Sequence, residues 1–409
     1  MGQLSTPGRA TSSLYCFGTD LLDEGIDVVL ERASTAGLDG ITMAAKYHAV
    51  SDLYPHNPRR RQASVAPGCY FVPEPRRYGE IVPAPHELLD GRDLLAELCA
   101  LAPRHGLGVS AWAVVLHDDD AAPGTPGLGR NCFGEEVAGT LCPSSDAGRD
   151  LVVGLVTDLC RYGLVAIRLE SVHFHGFGHG HHHERLLEDY GELARFVLGL
   201  CFCAACCGRA DAAGLDGDEL ATRARAYVEA VPSGSVAPQP FSNDALAAAC
   251  GEAAIAFLAL RSAVVAGLVA EVVPIASGRQ ITLSVIDPSI ATASYATGEL
   301  GPPSPLGGLT LGIDAVGLAA SGARVEVTGY LRDPNALDQA LSAGALGARD
   351  GQADPRLALI LRPGAPDGAD AGSLAAKVAV ARHHAVEVNF YNYGLYRLDA
   401  LERIAWALA

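Results

Sequence analysis

Eight times along this chain, a short run rich in β-branched and aromatic residues gives way to a stretch with helical apolar spacing. The strand-like runs cover residues 14–17, 41–47, 108–116, 164–169, 280–286, 324–330, 357–361 and 386–390. The helical stretches that follow them cover 26–36, 93–105, 150–162, 243–270, 312–321, 335–345, 373–384 and 398–408, with a further helix at 218–230. Parallel strands need a crossover between them, and a helix is the usual one. Eight such units in order predict an α/β fold of the (β/α)8 TIM barrel type, with long βα-loop insertions. An open doubly wound sheet is the alternative. It is disfavoured because no glycine-rich phosphate fingerprint follows the first strand. Without internal repeats or a low-complexity linker, the chain reads as one domain over 1–409, carrying a His/Cys-rich and helical insertion at about 171–245.

Totals narrow the partners. Apolar residues make up 49 % of the 409, enough for a large core. The formal charge of −17 argues against nucleic acid or an anionic membrane surface as partner. No leader-like opening and no uninterrupted apolar segment of membrane-spanning length is apparent, which leads to the expectation of a soluble, cytoplasmic protein and a possible homo-oligomer. Four of the eleven cysteines crowd into residues 201–207, and in such a setting clustered thiols more often bind metal than form disulfides.

The cluster reads Cys201-Phe202-Cys203-Ala204-Ala205-Cys206, with Cys207 adjacent, and it supplies three thiolates of the four that tetrahedral zinc needs. Upstream, Cys142-Pro143-Ser144-Ser145 follows the third strand, and Glu170 ends the fourth. In this stretch the chain resembles the zinc-containing β-galactosidases of glycoside hydrolase family 42. Those proteins carry an acid at the end of the fourth barrel strand, a C-x-C-x-x-C element after it, and a further cysteine in a Cys-Pro-Asn-Ser-like stretch. The resemblance implies that Cys142, Cys201, Cys203 and Cys206 hold a zinc ion, with Cys207 as a rival to Cys206. Four thiolates leave no open position, so the ion's implied role is structural.

The resemblance also implies that Glu170 is a general acid/base. Glycoside cleavage needs a second carboxylate. The family's nucleophile is a glutamate at the end of the seventh strand, where this chain reads Leu361-Arg362-Pro363-Gly364, with no acid before Asp367. Asp287, at the end of the fifth strand, is the expected substitute, followed by Asp20 and Asp118. The residue before Glu170 is Leu169, where the family usually has asparagine.

Around these acids the expected barrel rim is polar. His173, His175, His179, His181, His182 and His183 fall within eleven positions after the fourth strand. Neutral imidazoles beside a carboxylate suit proton transfer, sugar-hydroxyl contacts or chelation of an ion. Substrate contacts are expected from His48, His117, His173, His175, His179, Tyr330, Arg362, Asn389 and Tyr391. With two tryptophans in the chain, a long aromatic platform for polysaccharide is not expected, and a small glycoside or sugar derivative fits better. Three readings remain. The first is a glycosidase-like hydrolase. The second is a metal-dependent sugar isomerase, epimerase or lyase using the histidine loop, and the third is a non-catalytic carbohydrate-binding barrel.

Overall fold

The computed structural model describes residues 11–177, 188–289, 308, 311–344, 346, 352–368 and 370–409. Eight parallel strands form its centre: β1 Thr11–Cys16, β2 Gly40–Tyr47, β3 Gly108–Val114, β4 Ala166–Glu170, β5 Thr282–Asp287, β6 Arg324–Thr328, β7 Asp354–Leu361 and β8 Ala385–Phe390. Each pairs with the next in sequence, and β1 pairs with both β2 and β8, so the sheet closes. Ser13, for example, stands beside Gly40 on one side and Asn389 on the other. The eightfold alternation in the sequence is therefore a closed (β/α)8 barrel.

The outer wall consists of α1 Ile26–Thr35, α2 Leu94–Leu101, α3 Asp146–Leu159, α4 Ala253–Ser277, α5 Ala315–Ala320, α6 Pro334–Ala343, α7 Ala371–His384 and α8 Asp399–Leu408. Most start where a short polar side chain caps orphan backbone donors. Asp93 Oδ1 accepts from Ala96 N at 3.0 Å, Ser145 Oγ from Gly148 N at 3.0 Å, and Asp370 Oδ1 from Ser373 N at 2.8 Å.

The helical stretch expected over 243–270 is two helices, Asn243–Cys250 and α4. Gly251, at φ +88°, ends the first because that backbone conformation strains any residue with a Cβ. The apolar run of α4 is still interrupted by charge, at Arg261 and Glu271. α4 has 25 residues and a mean hydropathy of 2.1 over its most apolar window, long and apolar enough by composition to cross a membrane. Its pattern is nevertheless that of a barrel wall. Ala254, Phe257, Leu258, Arg261, Val265, Leu268, Val269 and Val272 are buried at helical spacing against α3, α5 and β5, while the outward positions are small residues such as Ala256, Ala259, Ala263 and Gly267.

Between β4 and α4, the described residues form the helices Gly191–Leu198, Ala204–Ala212, Gly217–Ala230 and Asn243–Cys250, and Gly217–Ala230 packs against each of the other three. Two antiparallel hairpins, Val50–Leu53 with Gln62–Val65 and Leu128–Arg130 with Glu136–Leu141, occupy stretches that the sequence suggests are loops.

Inside, the barrel departs from the usual packing of branched apolar side chains. Arg168 on β4, 1 % exposed, donates to Glu326 Oε2 on β6 at 2.6 Å and also to Glu387 on β8. Glu326 Oε1 further accepts from the Tyr15 hydroxyl at 2.8 Å and Asn389 Nδ2 at 2.7 Å, and Arg324 pairs with Glu387. Removing one partner of a buried ion pair leaves charge without compensation. Arg168→Met is expected to cost about 3–5 kcal/mol in urea unfolding. A loss below about 1 kcal/mol would mean that the two carboxylates do not depend on this guanidinium.

Candidate active site at the barrel mouth

Glu170 lies two residues beyond Arg168 on the same strand. A pleat of period two therefore places it on the same inward face, one layer nearer the carboxyl end. The residue before it, Leu169, belongs to the outer core. Trp112, two places on from Ser110 on β3, stands beside Arg168 in register, and its indole Nε1 donates to Glu170 Oε2 at 2.6 Å. Burial raises the Glu170 carboxyl above the ordinary glutamate range, while the Trp112 donor and the nearby His117 partly offset that. Arg168, the neighbour most able to neutralise Glu170, is committed to Glu326 and Glu387 instead.

Aromatic rings line the mouth around this carboxyl. Trp112 has Tyr47 at 4.6 Å, Tyr15 at 5.2 Å and Tyr391 at 5.7 Å between centroids, and Tyr330 lies 6.2 Å from Tyr391. With Phe17, Val114, Ile286 and Ile360 they form an apolar cluster separate from the strand–helix core.

The other sequence-selected residues fall in distinct places. Asp287 pleats to the side opposite Glu170. Ser284 stands beside Arg168, so Ile286 is the inward residue of β5, level with Glu170. The Asp287 carboxylate accepts from Ser289 N at 2.7 Å in its own turn, and burial raises it. Asp118 lies 3.6 Å from Lys46 Nζ. Asp20 is fully buried between β1 and the residues after β8. It accepts from Phe17 N at 2.8 Å and is raised by burial to about 7.

Arg362 stacks over Tyr330 at 4.5 Å and pairs with Asp367, which also takes Lys377 Nζ at 2.9 Å. A buried cation cluster thus occupies the end of β7. Asn389 sits in the lumen network with Glu326, below the mouth, whereas Tyr391 joins the aromatic ring set. His179 and the histidines at 181–183 lie outside the described residues.

Four of the histidines form a string of rings: His48 to His117 at 4.8 Å, His117 to His175 at 6.0 Å, and His175 to His173 at 5.5 Å. Burial lowers His48 and His173 to about 4, so both are neutral at pH 7. His117 Nε2 is 3.0 Å from Asp119 Oδ1. Burial alone would raise Asp119, but bonds from His117 and the Ala49 N–H prevail and bring it to about 2.

The sequence reading missed Asp119, Trp112 as a partner of Glu170, and the rings of Tyr15 and Phe17. The signal available was aromatic residues recurring at strand carboxyl ends.

Beside the mouth, Cys142, Cys201, Cys203 and Cys206 converge, all buried, with their sulfurs within 4.8 Å of one another. Cys142 Sγ is 3.4 Å from Cys206 Sγ and 3.7 Å from Cys201 Sγ. A disulfide would need about 2.05 Å. Sulfurs about 2.3 Å from a shared tetrahedral ion stand roughly 3.8 Å apart, so these separations fit such an ion. Arg130 N and Ser144 N each approach a cluster sulfur at 3.4 Å. Cys207 points instead to the Phe202 carbonyl at 3.4 Å, which leaves Cys206 as the cluster member. An adjoining cleft of about 620 Å3 is lined by Phe174, His175, Tyr190, Leu200 and the Glu136–Leu141 strand; it lies to the side of Glu170, not over it.

No protein-family model matches the sequence, and no curated protein matches it. Solved structures do match in fold. The PgaB (BpsB) glycoside hydrolase domain from Bordetella bronchiseptica is similar at a TM-score of 0.53 and 12 % identity, with 94 % of each chain covered. β-Galactosidases from Bacillus circulans sp. alkalophilus and the haloarchaeon Halorubrum lacusprofundi are similar at TM-scores of 0.52 and 0.50, each at 13 % identity, covering 94 % and 97 % of this chain. In fold, the chain is similar to glycoside hydrolase barrels. It spans 50 % and 57 % of those two β-galactosidase chains.

The Trp112 bond to the Glu170 anion holds that carboxyl's pKa down, so Trp112→Phe is expected to raise it. Carboxyl-carbon NMR of the labelled protein checks this: the Glu170 titration should move to higher pH. A shift downward, or none, would show that the indole does not tune this group.

Proposed function

We propose that this chain is a glycosidase-like hydrolase acting on a small glycoside or sugar derivative, with Glu170 as its general acid/base. The observation that carries the reading is a single carboxyl at the end of β4, held above its ordinary pKa and hydrogen-bonded by Trp112 at an aromatic mouth. A carboxyl with a raised pKa is the better placed to give its proton to the departing glycosidic oxygen as the bond to the anomeric carbon breaks, and can later take a proton from water. Aromatic rings around it suit the apolar faces of a sugar, and Tyr hydroxyls supply polar contacts. The likeness of fold to glycoside hydrolase barrels supports the reaction class.

Arg362 favours a second reading. Where the resemblance places a nucleophilic glutamate, this chain has a guanidinium locked to Asp367, and Asp287 is turned into its own loop. A barrel that binds sugar without turning it over would have no need of a second carboxylate. Glu170→Gln separates the two. On aryl glycosides of small sugars it is expected to cut turnover about 10²–10⁴-fold with binding retained. Turnover at the wild-type rate would remove Glu170 from the mechanism, and binding without turnover in either form would favour the second reading.

The four thiols are proposed to hold structural zinc, which when bound supplies a cross-link between the loop after β3 and the insertion after β4. The buried donors, the sulfur separations and the two N–H groups directed at sulfur support that set. Cys203→Ser is expected to lower zinc content and the thermal midpoint together. Full zinc content with unchanged melting would overturn the ligand set.

A further inference from the structure

The loops after β2 and β3 bring together three side chains that the proton chemistry above does not use. We propose that His48, His117 and Asp119 form a site for a divalent first-row transition ion at the rim of the barrel. One donor atom from each lies within 4.8 Å of the other two. The two imidazoles stack with their planes 9° apart and their centroids 4.8 Å apart. Asp119 Oδ1 is 3.0 Å from His117 Nε2. That separation serves a hydrogen bond, and it also matches neighbouring ligands each about 2.0–2.2 Å from one ion.

The remaining polar atoms are tied in the way that orients metal ligands. His48 Nδ1 is 2.8 Å from the Ala49 carbonyl; as the donor there, it leaves the Nε2 lone pair for an ion. Asp119 Oδ2 accepts the Ala49 N–H at 2.6 Å, which leaves Oδ1 on the His117 side. A single residue, Ala49, thereby sets ligands from both loops. The nearby ammonium does not compete, because Lys46 Nζ is bonded to the Val114 carbonyl at 3.0 Å and faces Asp118. Asp119 is met by the two imidazoles and the Ala49 N–H, with the Asp120 carboxylate also in electrostatic reach.

Two imidazoles and one carboxylate suit zinc, iron, cobalt or nickel better than magnesium or calcium. Three protein ligands leave positions open for water or a ligand oxygen, unlike the closed thiol set. Asp119 is exposed at the surface, which gives the ion a way in. His117 also influences Glu170 electrostatically, so the ion would share a sector of the mouth with that carboxyl.

The site stands apart from the glycosidase reading, and cobalt(II) titration of the reduced, metal-free full chain tests it. Two spectral classes are expected: a thiolate class with intense sulfur-to-metal charge transfer, and a class with weak ligand-field bands and no sulfur charge transfer. His48→Ala and Asp119→Asn, with unchanged circular dichroism, should each delete the second class. Each should weaken its binding by more than the roughly 10–100-fold typical of losing an outer hydrogen-bond partner. Cys203→Ser should delete only the first class. A wild-type chain showing the weak-band class alone would still support the rim site while removing the thiol one. Binding in the thiolate class alone, or equal ion counts in wild type and both rim variants, would overturn the proposal.

Discussion

The position of the mouth depends on one guanidinium. Arg168 reaches from β4 to carboxylates on β6 and β8, so three alternate strands are joined across the lumen by charge where most barrels of this kind use apolar layers. Such a tie is expensive to desolvate and holds only when its lone pairs are satisfied. The Tyr15 hydroxyl and Asn389 amide add bonds to Glu326, and Arg324 adds a second cation to Glu387. Because the strand pleat has a period of two, fixing Arg168 inward also fixes Glu170 inward. A one-residue slip would bury Leu169 in the lumen and send both charged side chains into the apolar strand–helix layer, at a cost that no nearby partner offsets.

The electrostatic order of the mouth follows from this arrangement. Since Arg168 is occupied below, Glu170 faces an indole N–H and a histidine rather than a fixed cation, and burial raises its carboxyl above the ordinary glutamate range. Further round the rim, burial drives His48 the other way, to a neutral imidazole. The rim therefore holds a carboxyl whose pKa is pushed up and an imidazole whose pKa is pushed down, the kind of divergence that separates acid and base roles.

The fold was legible because the signals that encode a barrel are local. Strand-like runs and helical spacing recur, and short polar caps such as Asp93, Ser145 and Asp370 mark where helices begin. The missed elements lacked those signals. The stretches containing Val50–Leu53 and Leu128–Arg130 are short, part-polar and flanked by proline or glycine, so their pairing depends on the partner strand rather than on their own pattern. Over 243–270 two helices read as one, because Gly251 is a single residue inside an otherwise continuous alanine-rich apolar pattern. At the site, the thiol set was visible from spacing, but the choice between Cys206 and Cys207 depended on which sulfur the Ala204–Ala212 helix turns towards Cys142. Asp119 was not legible as a partner of His117, because a run of three aspartates does not indicate which one reaches the imidazole. Asp287 was placed at the right strand end, but its pleat and its own Asx turn direct it away from Glu170.

The two ligand clusters differ in a way that lets one chain hold both without confusion. The sulfur set is buried and soft, and with four donors a tetrahedral ion would have no free position. Arg261 on α4, stacked over Phe174 at 4.4 Å, lies within electrostatic reach of Cys142, Cys201 and Cys206 and offsets part of the charge such a set accumulates. The rim set is harder, partly exposed and short of ligands. Softness sorts the ions, and donor count sorts the roles.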